Sequence, residues 1–150
     1  MAVQKLVLFI CVENAARSLM AEAMFNRSPP VGWTATSAGT SPGRAPNPRT
    51  QPMLREIGLE LPLHPPRLLS DREMQEASIR VTMGCLDDAA CPARLKTLEL
   101  RDWGLPDPTK LDDDGFRQVR DDLVVRVRGL ATEIASLQRR HLTQAGSPPT

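Results

Sequence analysis

The run LVLFI, residues 6 to 10, is apolar at every position. A strand with no polar face must be covered on both sides, as a central strand of a parallel sheet is. It stops at CVENAARS, residues 11 to 18, and a helical pattern follows at once. Residues 17 to 27 place Leu19, Met20, Ala23 and Met24 on one stripe. Three more segments read as strands: Trp33 to Ala38, Ile79 to Met83 and Thr97 to Asp102. Strands alternating with helices imply an α/β fold. The expectation is a three-layer α/β/α arrangement, with a four-stranded parallel sheet and flanking helices.

The helix signals are local. Asn47-Pro48 reads as a helix start, with asparagine as cap and proline in the first turn. That helix is expected to run to Ile57 and stop at Gly58. Ser70 can cap a short helix through Ala77, with Glu73 completing a capping box. Phe116, Val119, Leu123, Val127, Leu130, Ile134 and Leu137 recur at spacings of three and four, which predicts a long packing helix. One domain over residues 1–143 is expected, with 144–150 as a flexible tail. The pieces SPGRAPNP and LPLHPPRLL read as stiff loops inside it.

Composition narrows the function. The net charge is +1, and aromatic residues are 3% with no tyrosine. Neither a basic nucleic-acid surface nor a base-stacking platform is expected. No stretch approaches the ~18 apolar residues of a membrane span, and no signal peptide is recognisable, so a cytoplasmic protein is expected. Its three cysteines should then be free thiols.

The octet carries the chemistry. Ligands of open α/β sheets bind beyond the carboxyl ends of the strands, where Cys11 falls. If residues 11 to 17 curl into a cradle, the N–H groups of Val12, Glu13, Asn14, Ala15, Ala16 and Arg17 converge. The following helix adds its positive dipole end. That is a socket for a tetrahedral oxyanion, and Arg17 can grip two of its oxygens with a planar fork. The same donors and the Ser18 hydroxyl favour thiolate over thiol at Cys11, placing a nucleophile beneath the anion's central atom. The loop contains no glycine, and Asn14 is the residue best suited to a left-handed conformation. Glu13 sets a carboxylate beside the anion, harmless if it points outward. A buried strand-end cysteine and a surface arginine would be the bland alternative.

The sequence resembles the low-molecular-weight protein tyrosine phosphatases and the arsenate reductases built on that fold. The resemblance rests on LVLFICVENAARSLMAEAMF, TSAGT, PNPRTQPMLREIGLE, VTMGC, ACP and DWGLPDP, and covers most of the chain from Val7 to the last helix. It implies that Asp107, in its Asp-Pro context, is the acid that protonates the departing oxygen. From spacing alone Asp107 would be an ordinary turn residue.

Phosphatase and reductase differ in electrons. Ester hydrolysis needs none, whereas reducing arsenate to arsenite needs two, which one dithiol supplies on becoming a disulfide. Cys85 and Cys91 are available for this. By resemblance to the thioredoxin-coupled reductases, Cys85 attacks Cys11 and releases arsenite. Cys91 then attacks Cys85 and carries the disulfide to thioredoxin. Two buried cysteines or a metal site are the alternatives, but four-ligand spacing is absent. Six positions on a helix would separate Cys85 and Cys91 by ~9 Å, beyond disulfide reach, so LDDAA must be a loop or must unwind.

Thr109 and Lys110 follow the Asp-Pro where the family's phosphatases carry tyrosines, which favours the reductase. Phosphatase activity on aryl phosphates, whether alone or residual, and a non-catalytic oxyanion sensor remain alternatives. A glutaredoxin-like partner with a small thiol is the alternative to thioredoxin. No required cofactor is expected. Asn14, Glu22 and Ser37 match positions of a potassium site in some relatives. A monomer is expected.

Overall fold

The computed structural model describes residues 4–84 and 100–146. Strand β1 (Lys5–Cys11) leads through the octet into helix α1 (Arg17–Arg27) and then β2 (Trp33–Gly39). Helices α2 (Thr50–Arg55) and α3 (Asp71–Glu76) precede β3 (Ile79–Thr82). The described chain closes with β4 (Arg101–Asp102), a 3-10 turn (Pro108–Lys110) and α4 (Asp113–Gly146). The four strands form one sheet in the order β2-β1-β3-β4, and every pairing is parallel.

β1 lies inside that sheet, and its side chains alternate between two cores. Val7, Phe9 and Cys11 join Met20, Phe25, Leu54, Phe116, Leu123 and Ile134 on the face covered by α1 and α4. Leu8 and Ile10 join Leu69, Met74 and Ala77 on the α3 face. Each large apolar side chain so buried contributes about 1.5–3 kcal/mol. This is the expected three-layer α/β/α sandwich, and it fixes Cys11 at the carboxyl end of β1.

Several boundaries differ from the sequence reading. α2 begins at Thr50 rather than at Pro48: Asn47 Oδ1 does accept from Arg49 N, as a cap would, but the chain first makes a tight turn closed by Thr50 N on Asn47 O. α2 ends at Arg55 rather than running to Ile57, and a turn over residues 56–58 brings the chain to Gly58, with φ of 77°. Ser70 caps α3 by accepting from Glu73 N. The α4 stripe is buried from Phe116 to Ile134, but Leu137 is 54% exposed. α4 continues through Gly146, into the segment expected as tail. Only Arg101 and Asp102 of the fourth expected strand pair with β3, and the beginning of that segment lies outside the described residues. Among the described residues, no helix is long and apolar enough to cross a membrane.

Candidate active site

The octet is shaped by where its carbonyls go. Thr40 N donates to Cys11 O, Ser41 N to Val12 O, and Gly43 N to Glu13 O. Asn47 N and Thr50 Oγ1 both donate to Ala15 O. In a planar trans peptide the N–H points opposite the preceding C=O. With the carbonyls drawn outward to residues 40–50, the N–H groups of Val12, Glu13, Asn14 and Ala16 turn the other way. The motifs TSAGT and PNPRT thus act as donors to the loop's outer side. Gly39 is required there: a Cβ would stand 2.5 Å from Val12 O. Asn14 takes the left-handed conformation expected of it, with φ of 52°.

Cys11 Sγ sits at the centre of this curl. Asn14 N donates to it at 3.2 Å, and Ser18 Oγ lies 2.8 Å away. The direction of the second bond follows from its neighbours. Asn14 Oδ1 accepts from Arg67 N, which orients the amide. Asn14 Nδ2 then spends its two hydrogens on Ser18 Oγ (2.7 Å) and Ser37 Oγ (2.9 Å). Ser18 Oγ is an acceptor there, so its single hydrogen is left for Cys11 Sγ. Two donors thus face one sulfur. Cys11, Asn14 and Ser18 are all buried.

Arg17 opens α1, whose start is capped by no side chain, so the first-turn N–H groups face the anion site uncapped. Its Nη1 donates to Met83 O and Leu105 O, both at 2.8 Å. Its Nε and Nη2 meet no protein acceptor among the described residues, which leaves a two-pronged edge for an oxyanion. The same guanidinium ties the end of β3 to the segment leading to Asp107.

A cavity of about 340 Å³ opens over the sulfur. Cys11, Val12, Glu13, Ala15, Ala16 and Arg17 line it, together with Met83, Gly84, Asp107, Thr109 and Lys110. Glu13 is exposed at its mouth. Asp107 thus lines one cavity with Cys11. Its Oδ1 accepts from Thr109 N (3.0 Å) and Thr109 Oγ1 (2.7 Å), so it both caps the 3-10 turn and faces the site. Cys85 and Cys91 lie outside the described residues.

Asn14, Glu22 and Ser37 do come together, but as a hydrogen-bonded chain. Ser37 Oγ donates to Glu22 Oε1 at 2.8 Å, and His64 Nε2 meets the same oxygen at 2.8 Å. Arg67 Nε donates to Ser37 O at 3.1 Å and its Nη2 to Thr36 Oγ1 at 3.0 Å. Asn14 Oδ1, Ser37 Oγ and Glu22 Oε1 each already accept from a protein donor, beside the Arg67 guanidinium, so these contacts give no support to a potassium site. Among the described residues no group of three or more His, Cys, Asp and Glu could hold a metal. Arg67 also pairs with Glu73. Burial pushes the Glu73 carboxyl up, but hydrogen bonds from Arg67 and Ser70 outweigh it and hold it below the usual range. His64, Arg67 and Thr50 were missed by the sequence reading. Their partners are remote in the chain, and only the HPPR arginine in a stiff loop offered any signal.

This architecture, with a buried cysteine at the base of a strand-to-helix loop, has known counterparts. Residues 6–141 match the low molecular weight phosphotyrosine protein phosphatase family, and the chain belongs to it. Arsenate reductase 1 of Staphylococcus epidermidis is 29% identical over 131 residues, covering 87% of this chain and 98% of that protein. The structure of the thioredoxin-dependent arsenate reductase of Corynebacterium glutamicum superposes with a TM-score of 0.72 at 28% identity, over 91% of this chain. This chain spans 64% of that longer one. An arsenate reductase in its phosphate-binding state superposes with a TM-score of 0.73 at 26% identity, over 87% of this chain and 99% of that one.

Proposed function

We propose that this chain reduces arsenate to arsenite with Cys11 as nucleophile. The observation that carries the reading is the sulfur itself, buried beneath a cavity with Asn14 N and the Ser18 hydroxyl turned onto it. The names of the relatives support the choice of substrate, and the phosphate-binding state of one supports an oxyanion in the loop.

In the first step the Cys11 thiolate attacks arsenic(V). Asp107 gives a proton to the departing oxygen, which leaves as water, and a sulfur–arsenic bond is formed. Arg17 and the loop N–H groups hold the remaining oxygens. In the second step Cys85 attacks Cys11 Sγ. The sulfur–arsenic bond breaks, its electron pair stays on arsenic, and arsenite departs. In the third, Cys91 attacks Cys85, freeing Cys11 as thiolate. An external dithiol then reduces the Cys85–Cys91 disulfide. Thioredoxin fits that role, in line with the thioredoxin-dependent relative from Corynebacterium glutamicum. Cys85 follows Gly84, which lines the cavity.

A phosphate ester in the same loop would form a Cys11 phosphoenzyme that water hydrolyses, so residual aryl-phosphate turnover is expected without reductant. Single turnover separates the roles. Cys91→Ser should release about one arsenite per enzyme and stop as a Cys11–Cys85 disulfide, while Cys85→Ser should release almost none. Equal multiple turnover by both variants would reject the relay. No arsenite from the wild type with a thioredoxin system would reject the reductase.

A further inference from the structure

Asp107 can act only if its loop stands at the right distance from the anion loop, and one residue spans both. Arg49 is fixed at its base to the anion loop's outer side. Its N–H donates to Asn47 Oδ1 at 3.0 Å, while Asn47 N and the adjacent Thr50 Oγ1 both hold Ala15 O. Its tip is fixed to the acid loop. Nη2 donates to Pro108 O (3.3 Å) and Thr109 O (3.1 Å), and Nη1 donates to Leu111 O at 2.9 Å. The guanidinium lies 4.9 Å from the Phe116 ring centroid, and Nη1 also meets Asp113 Oδ1 at 3.2 Å.

We propose that Arg49 is a positioning residue for the acid step, a strut that sets Asp107 against the oxyanion held over Cys11. This rests on the reading of Asp107 as the general acid. The physical case is geometric. The carbonyls that Arg49 collects belong to the turn immediately after Asp107, and that turn is capped by the Asp107 carboxylate through Thr109. With three carbonyls held by one planar cation, the turn cannot swing without losing charge-assisted hydrogen bonds. Arg49 itself does not line the cavity. It therefore acts through Asp107, while Arg17 holds the other end of the same loop at Leu105 O. A lysine could not replace it, because an ammonium lacks the planar fork that reaches three separated acceptors.

The test is a double-mutant cycle in the full enzyme. Asp107→Asn should lower kcat by roughly 10² to 10⁴, the usual range for a general acid. Arg49→Met keeps an apolar stem over Phe116 and removes the donors. It should lower kcat about 10- to 100-fold while the inhibition constant of inorganic phosphate stays within about threefold, a loss confined to the transition state. In the Asp107→Asn background the same change should cost less than about threefold, because a strut has no effect once the acid it places is gone. Arg49→Lys should give a smaller loss with the same non-additivity, and thermal melts of all variants check folding. If Asp107→Asn leaves kcat unchanged, the acid reading falls and the strut with it. If Asp107→Asn is slow but Arg49→Met is not, or if the two losses multiply in full, the strut alone is overturned. A parallel rise in the phosphate inhibition constant would likewise assign Arg49 to the anion loop instead.

Discussion

The anion loop and the acid loop face each other across one cavity and are held by different means. The first is built into the interior. Asn14, Ser18 and Ser37 are fully buried, and a network of short hydrogen bonds around them ends on the sulfur. The second is held from outside by two arginines, Arg17 at Leu105 O and Arg49 at the turn beyond Asp107. A buried network leaves no alternative arrangement with satisfied polar groups, so Cys11 Sγ and the donors that face it are held in place by the fold itself. A loop clamped by cations at both ends owes its place to those side chains rather than to a buried network, so losing either clamp frees it.

Arg17 touches both loops, so its loss should be the most damaging change to the contrast. Arg17→Lys should weaken oxyanion binding roughly 10²-fold, the worth of one or two charge-assisted hydrogen bonds. It should also lower the melting temperature, because one ammonium cannot serve the oxyanion, Met83 O and Leu105 O together. Isothermal titration with phosphate and a melt on the same sample measure both. An affinity loss with no change in melting would mean that the two carbonyl contacts do not fasten the loops.

Ser18→Ala tests the anion loop alone. The variant removes the one hydroxyl hydrogen that the network leaves for Cys11 Sγ. The rate of Cys11 alkylation at pH 6 should fall about tenfold, with phosphate affinity little changed. Labelling that is as fast as in the wild type would show that the hydroxyl points away from the sulfur.

The smallest effect lies in the seam between the end of α2 and α4. Glu56 accepts from Arg117 and Arg120, which hold its carboxyl down at about 2 from an ordinary 4.5. A carboxyl lowered in the folded state stabilises it at pH above the unfolded value, and that contribution is lost as pH falls from about 4.5 towards 2. Glu56→Gln should therefore melt slightly below the wild type at pH 6 and together with it near pH 2, in paired melts. A constant gap across that range would remove the ion pair from the account.

The contrast also explains what could be read in the chain. The anion loop was legible because its determinants are neighbours: an apolar run, Cys11, Arg17, Ser18 and a helix stripe fall within 22 residues of one another. Asn14 was legible for the same reason, as a loop without glycine must turn on its asparagine. The Ser70 cap and the α4 stripe to Ile134 are local patterns too. The start of α2 was misplaced by two residues because a tight turn from Asn47 to Thr50 precedes the first helical residue, although Asn47 makes the cap contact that the sequence suggested. Leu137 continues a period whose packing partners have ended. Arg49 and Arg67 left almost no trace, because a guanidinium that gathers remote carbonyls carries no spacing signature of its own.

The outward carbonyls of the anion loop have a consequence for transplantation. Residues 11 to 18 curl correctly only where Thr40, Ser41, Gly43, Asn47 and Thr50 wait to receive them, and where Gly39 leaves room for Val12 O. The octet is accordingly not a cassette. Moved by itself onto another strand-to-helix junction, it would arrive with a cysteine and an arginine but without the scaffold that turns its amides inward. A graft that works must bring two stretches of chain, and the second of them contains no catalytic residue at all.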